Sequence, residues 1–405
     1  MTTSTNTPPA YLPPPDPPGL SKWIRDNLFG SISNSILTIL AATLLYFMIT
    51  NAASWMLFTA DWRPVTQSPL LYVIGQYPRD QMWRVGTALT MIAFMTGVSW
   101  GKWNGFVKGI SIGIAAVFAF FALLPVSHPQ LTLGMRLYLG GNVLAVGIGY
   151  LVGRIKGLKP MVIGIAWLVV PVVTILLFAG FAGSLALPKV ETTAWGGLMV
   201  TFLLAIGGIL LSFPLGVILA LGRRSKLPVV KAISTVYIET IRGVPLITIL
   251  FMFSIILALF LPQETRLDRL LRALMAVTVF SSAYTAENVR GGLQAVPQGQ
   301  VEAAKALGMN SFRIMLLIVL PQAIRAVIPA IVGQFISLFK DTTLVIIIGI
   351  NDLLGIGKSI INSSPEFVQL QTEVYIFIAA VYWVFSYLMS MASRRVEKAL
   401  GVGER

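Results

Sequence analysis

The chain has 405 residues, 56% of them hydrophobic and only 11% charged, a balance that excludes an ordinary globular domain and describes a polytopic membrane protein. It has no cysteine, which excludes disulfides and thiol chemistry, and a single histidine, His128, with no His/Cys/Asp/Glu cluster at ligand spacing to hold a metal. A net charge of +14 would suggest a nucleic-acid partner in a soluble protein; here it reads as cationic cytoplasmic loops facing anionic headgroups, and no RNA-binding motif with interleaved aromatics accompanies it.

Residues 1–18 hold Pro8, Pro9, Pro13, Pro14, Pro15, Pro17 and Pro18, the composition of a disordered polyproline-type tail, taken here as residues 1–21. Without a basic n-region or a small-residue cleavage site it is not a signal peptide. Lys22, Trp23 and Arg25 then suit an interfacial anchor. A membrane span needs about 20 mostly apolar residues, and ten stretches qualify: 32–51, 84–101, 106–125, 133–153, 161–181, 195–221, 244–262, 270–289, 321–340 and 372–393. The apolar run 344–350 is too short to cross and reads as a candidate re-entrant segment. His128, between Ser127 and Pro129 in a short outer loop, suits a solvated or capping role rather than catalysis. Starting the N-terminus in the cytoplasm and alternating puts most of the 30 Lys and Arg inside, with both termini cytoplasmic. Two blocks follow: residues 22–190, with five spans and a long outer loop at 51–83, and residues 191–405, with five more. In the first, Gly109 with Gly113 and Gly149 with Gly153 permit close helix approach, within one bundle or at a dimer face.

The loop at 291–320 is the feature around which the second block is organised. Pro297 suits the first turn of a helix, Ala303, Ala304 and Ala306 favour its continuation, and Gly308 suits its C-cap. Asn310 or Ser311 then caps a second helix, 312–320, ended by Pro321. Val301, Ala304, Leu307 and Gly308 share a small, apolar face open to close approach by another protein, and Phe312, Met315, Leu316 and Val319 form a stripe on the second helix.

Glu302-Ala303-Ala304, Gly308, Ile318, Leu320 and Pro321 resemble the complete EAA loop of ABC importer permeases. That resemblance implies an all-α, polytopic transmembrane helix bundle of about ten spans, a type I importer permease core preceded by an N-terminal five-helix extension. It also implies that Glu302, Ala303, Ala304, Leu307 and Gly308 couple to a separate ATPase dimer, where ATP and Mg reside, leaving this chain with no cofactor of its own. Tyr237-Ile238-Glu239-Thr240-Ile241-Arg242-Gly243-Val244-Pro245-Leu246 and the segment from Ala283 to Gly292 are similar to signatures of the polar amino acid subfamily. Val296-Pro297-Gln298, Leu320-Pro321-Gln322-Ala323 and Lys340-Asp341-Thr342-Thr343-Leu344 continue that series in family order. Val244 and Thr343 are mild departures. The first five spans are a larger one, and point to the extended, general L-amino acid type. By resemblance the partners are a second permease subunit in a heterodimer, a periplasmic substrate-binding protein, membrane lipid and an amino acid, with no nucleic acid, in the cell inner membrane.

Charged side chains inside spans are costly and are therefore paired or functional. Glu287 and Arg290, three residues apart, share a helix face as a gate pair or a structural pair. Tyr284 and Ser281 lie at successive turns before them, which reads as one polar seam along a translocation path. Lys340, Asp341 and Thr342, at the outer end of the ninth span, read as an outer gate or docking point, or as a simple interface pair. Arg242, beside Gly243 and Pro245, reads first as a positive-inside anchor. The segment Leu353-Leu354-Gly355-Ile356-Gly357-Lys358-Ser359 mimics a phosphate-binding loop, but Asp352 stands where that motif needs its first glycine. The expected function is thus the membrane subunit of an ATP-driven amino acid importer. A secondary transporter driven by an ion gradient is the alternative, with Glu287 as its one strong embedded carboxylate. An intramembrane enzyme lacks a nucleophile–base arrangement.

Overall fold

The structure is a computed structural model that describes residues 19–123, 132–260, 262, 267–399 and 401. The proline-rich segment 1–18 and His128 lie outside the described residues. All regular structure among the described residues is helical, with three isolated bridges between loops. The chain divides into two compact units, 1–61 and 62–405.

In the first unit, α1 (Leu20–Leu28) begins inside the expected tail and leads into α2 (Ile32–Ser54). The Ser31 side chain caps α2 by accepting from the Asn34 N–H, and Thr38 donates 2.8 Å back to the Leu28 carbonyl. No residue of α2 is buried, and Leu37, Leu40 and Leu44 are among its most exposed side chains, as for a helix bathed in lipid.

The second unit opens with two short helices, Arg63–Thr66 and Pro69–Ile74, in the stretch expected as an outer loop. They are ordered because Tyr72, Ile74 and Tyr77 are all about 2% exposed. Tyr72 packs on Phe377 at 5.0 Å and joins Leu353 and Ile356, while Gly75 bridges to Trp195. Helices α3 (Met82–Trp103), α4 (Gly105–Leu123), α5 (Leu133–Gly153) and α6 (Pro160–Ala179) follow. The α3–α5 pair is a glycine contact in both directions. A Cβ on Gly97 would lie 2.1 Å from the Val146 carbonyl, and one on Gly153 would lie 2.2 Å from that of Val98. Gly149 and Gly153 therefore serve packing within the bundle, whereas Gly113 faces open space. Arg84 is fully buried at the start of α3 and donates to the carbonyls of Leu177 (3.3 Å) and Pro188 (2.8 Å), tying the loop after α6 to the bundle.

The rest of the unit is built on α7 (Gly197–Arg223), α8 (Pro228–Arg242), α9 (Leu246–Phe260), α10 (Arg269–Ala295), α11 (Gln298–Ala306), α12 (Ser311–Ile348), α13 (Leu353–Ile361) and α14 (Gln371–Ala399). Helix α10 lies between α7 and α12. Gly208, Ser212, Gly216 and Ala220 recur every fourth residue of α7 and are all buried, which lets α7 close on α10. Gly292 of α10 does the same for α12, since a Cβ there would meet the Ala323 carbonyl at 2.4 Å. Gly243-Val244-Pro245 breaks the chain between α8 and α9, which cross at 107°.

Each of the ten expected spans falls on a helix, but among the described residues six helices are long and apolar enough to cross a membrane unaided, or seven if α8 and α9 count as one broken span. Helices α3 and α10 carry embedded charges that lower their apolarity, and the apolar part of α4 is short. The second helix of the expected knob does not stop at Pro321. A π turn at Met315–Val319 lets the Leu320 N–H donate to the Met315 carbonyl, so the helix widens just before the proline and continues through it. The 344–350 run is not a free re-entrant loop: Thr342–Ile348 is a 3-10 extension of α12 with Val345 fully buried. The phosphate-loop mimic is helix α13, whose Gly357 packs against Ile378.

Candidate functional site: the Gly308 elbow and the Glu287 charge cluster

The elbow after α11 follows from three residues. Gly308 takes φ +75°, its N–H donates to the Lys305 carbonyl, and the Met309 N–H donates to that of Ala304. That is a Schellman turn, which needs a residue free of the left-handed penalty. The Asn310 side chain then accepts from the Arg313 N–H at 2.9 Å and starts α12. The expected docking face divides at this turn. Ala304 is 2% exposed and packs inward with Ile314 and Val319, because α11 must bury one side against its own chain. Leu307 is 82% exposed and Phe312 74%, with Leu316 and Leu317 beside them; Glu302, Ala303 and Gly308 also face outward. Phe312, Met315 and Leu316 border a cleft of about 220 Å³ with Leu221 and Arg224.

At the same end of the bundle, Glu287 is not paired with Arg290 alone. Its Oε1 accepts two hydrogen bonds from Arg290, the longer at 2.9 Å, and its Oε2 accepts from Arg223 at 3.2 Å. Arg223 also reaches Glu239 at 2.7 Å, and Arg242 stands 3.9 Å from Glu287. Four charges from α7, α8 and α10 thus meet around the Glu287 carboxylate, three positive and one negative. Tyr284 belongs to this side, with Arg242 5.7 Å from its ring centre and the Phe280 ring tilted against it at 4.8 Å.

Ser281 does not continue that seam. It is buried on the neighbouring face of α10, where Gln334 of α12 donates to its carbonyl (2.8 Å), its hydroxyl (3.0 Å) and the Thr285 hydroxyl (3.0 Å). Asn288 donates to Gln334 in return at 2.8 Å. The drift of a 3.6-residue helix separates residues three apart by about 60°, enough to split the expected seam into two walls.

The candidates expected at the outer end separate in the same way. Lys340 is exposed, Asp341 is half-buried, and they form no ion pair with each other. Asp341 closes the α-helical stretch Leu320–Asp341, and the chain continues as the 3-10 stretch Thr342–Ile348. Thr342 is fully buried: it donates to the Phe339 carbonyl at 2.7 Å and faces the Tyr382 hydroxyl, which donates to Asp352 at 3.0 Å. It sits in a packed polar node rather than on an open wall. Sequence reasoning passed over Arg223, Thr285, Asn288 and Gln334. Nothing in the sequence sets Arg223 apart from the other cations, and the other three are neutral groups whose role is set by which helix they face.

Residues 212–402 match the family described as binding-protein-dependent transport system inner membrane component. The chain is 36% identical to the inner membrane amino-acid ABC transporter permease protein YhdY of Escherichia coli (strain K12), covering 94% of this chain and 93% of that one. It is 33% identical to the glutamate/glutamine/aspartate/asparagine transport system permease protein BztC of Rhodobacter capsulatus, covering 94% of each. Among solved structures, an amino acid ABC transporter with histidines is 32% identical, with a TM-score of 0.46 over 50% of this chain and 92% of that one.

Proposed function

The chain belongs to the amino-acid ABC transporter permeases of the binding-protein-dependent family, and we propose from this that it forms the translocation path of an ATP-driven amino acid importer, with α11 as its contact to a separate ATPase. In this reading residues 22–190 are an extension on a permease core at 191–405, both termini are cytoplasmic, and ATP and Mg are held by the ATPase dimer. A second permease subunit, in a heterodimer, and a substrate-binding protein on the far side complete the assembly. The amino acids named for the Rhodobacter relative are the first to assay.

The observation that supports coupling is the two-sided elbow. Leu307 and Phe312 project outward from a Schellman turn, while Ala304, Ile314 and Val319 lock the same turn to α10 and α12. Force applied to the outer edge therefore has a packed route into the bundle. The ion-gradient alternative needs a carboxylate free to exchange a proton or sodium ion, and both oxygens of Glu287 are occupied by guanidinium groups.

The test is uptake into vesicles that hold the complete complex. ATP should drive accumulation with no ion gradient. Leu307→Asp combined with Phe312→Asp should abolish both accumulation and co-purification of the ATPase, while the melting temperature of the permease stays within about 2 °C, because exposed positions contribute little to folding. Uptake driven by a gradient without ATP would overturn this reading.

A further inference from the structure

The inner charge cluster contains one cation, Arg242, that is ion-paired with Glu287 at 3.9 Å without a hydrogen bond to it. Arg223 and Arg290 both make hydrogen bonds to carboxylate oxygens. Arg242 makes none: its closest acidic atom is 3.9 Å away, beyond hydrogen-bond reach. Its side chain is 35% exposed, and its guanidinium lies 5.7 Å from the centre of the Tyr284 ring, which fixes its position while leaving its N–H edges open. Glu239 lies three residues earlier on the same helix, with one oxygen on Arg223 and the other unengaged; its side chain is 55% exposed. Residues three apart on a helix have Cβ atoms about 5–6 Å apart. An open guanidinium fork and an open carboxylate oxygen at that spacing complement a zwitterion. The fork takes a carboxylate by two parallel hydrogen bonds, and the oxygen takes an ammonium.

We infer that Arg242 and Glu239 hold the zwitterionic head of the transported α-amino acid at the inner end of the path. Arg242 receives the α-carboxylate and Glu239 the α-ammonium, with Tyr284 as a positioning residue. This rests on the proposed transport function and adds to it where the substrate is held. Because recognition uses only the head shared by all α-amino acids, this position selects the class and leaves the side chain unread. Glu287, already 3.9 Å from Arg242, is a built-in competitor for the same fork, so the bound head has a route to release.

The test uses the full complex in lipid nanodiscs without the binding protein, which would otherwise do the selecting. The probe is whichever of the twenty radiolabelled amino acids wild-type vesicles accumulate fastest, competed by itself and by its α-carboxamide. Wild type should prefer the acid over the carboxamide by tenfold or more. Arg242→Gln should weaken the acid at least tenfold, leave the carboxamide within about twofold, and so erase the preference. Arg242→Lys, which keeps the charge without the fork, should retain an intermediate preference. A wild-type ratio in Arg242→Gln, or an equal loss for both compounds, would overturn the assignment. If Arg242→Gln does not assemble, the lysine variant decides, and an unchanged ratio there overturns it. If wild-type vesicles accumulate none of the twenty, the transport reading itself fails instead.

Discussion

Gln334 shows how much one neutral side chain can organise. Its amide links Ser281, Thr285 and Asn288 across the α10–α12 boundary. Hydrogen bonds inside membrane proteins average about 0.6 kcal/mol, because the separated helices find other partners. Gln334→Leu should therefore lower stability by about 1–2 kcal/mol, read as a drop in the detergent melting temperature, with Asn288 left as the orphan. Adding Asn288→Leu should recover part of the loss, since it removes that unpaired group. Glu287 was legible in the sequence as an embedded acid in need of a base. Its true partners were not, because Arg223 is 64 residues away along the chain and only the packing of α7 on α10 brings it near.

At the scale of the element, helix contacts are set by where small residues fall. Gly97 and Gly113 look alike in sequence, each in an apolar helix, yet one touches the Val146 carbonyl and the other faces open space. Gly97→Val should force α3 and α5 apart and destabilise the bundle by about 3 kcal/mol or more, while Gly113→Val should be neutral within about 0.5 kcal/mol. Parallel melting of the two variants checks both statements. The Gly149 and Gly153 spacing announced close packing but not its partner. The elbow was more readable, because Gly308 and Asn310 act through bonds to residues within five positions. Pro321 misled for a physical reason: a proline ends a helix when nothing relieves the turn before it, and here the π turn does.

The whole molecule is partitioned otherwise than its hydropathy suggests. Within residues 62–81, Tyr72, Ile74 and Tyr77 are buried against parts of the chain more than a hundred positions later, Tyr72 beside Leu353 and Phe377, and Gly75 bridges to Trp195 through the backbone. The compact unit 62–405 closes its own core without residues 1–61. Deleting residues 1–61 removes none of the residues of that unit's hydrophobic core clusters. Deleting residues 1–81 should cost on the order of 5 kcal/mol, since two fully buried tyrosines and an isoleucine vanish. Limited proteolysis and thermal melts of the two truncations read that cost. Such long-range cover leaves no trace in local composition, which is why those residues read as an ordinary connection.

The steep turn between α8 and α9 has one more consequence. Val229, Ile233 and Val236 crowd one flank of α8, while Glu239 and Arg242 reach the ion cluster from the other side. A rod about 10 Å thick thus has acyl-seeking groups on one edge and salt on the opposite edge. Whatever resettles that rod in the leaflet also respaces its charges, so turnover should vary with the fatty-acid make-up of the host bilayer even in a chain with no substitution at all.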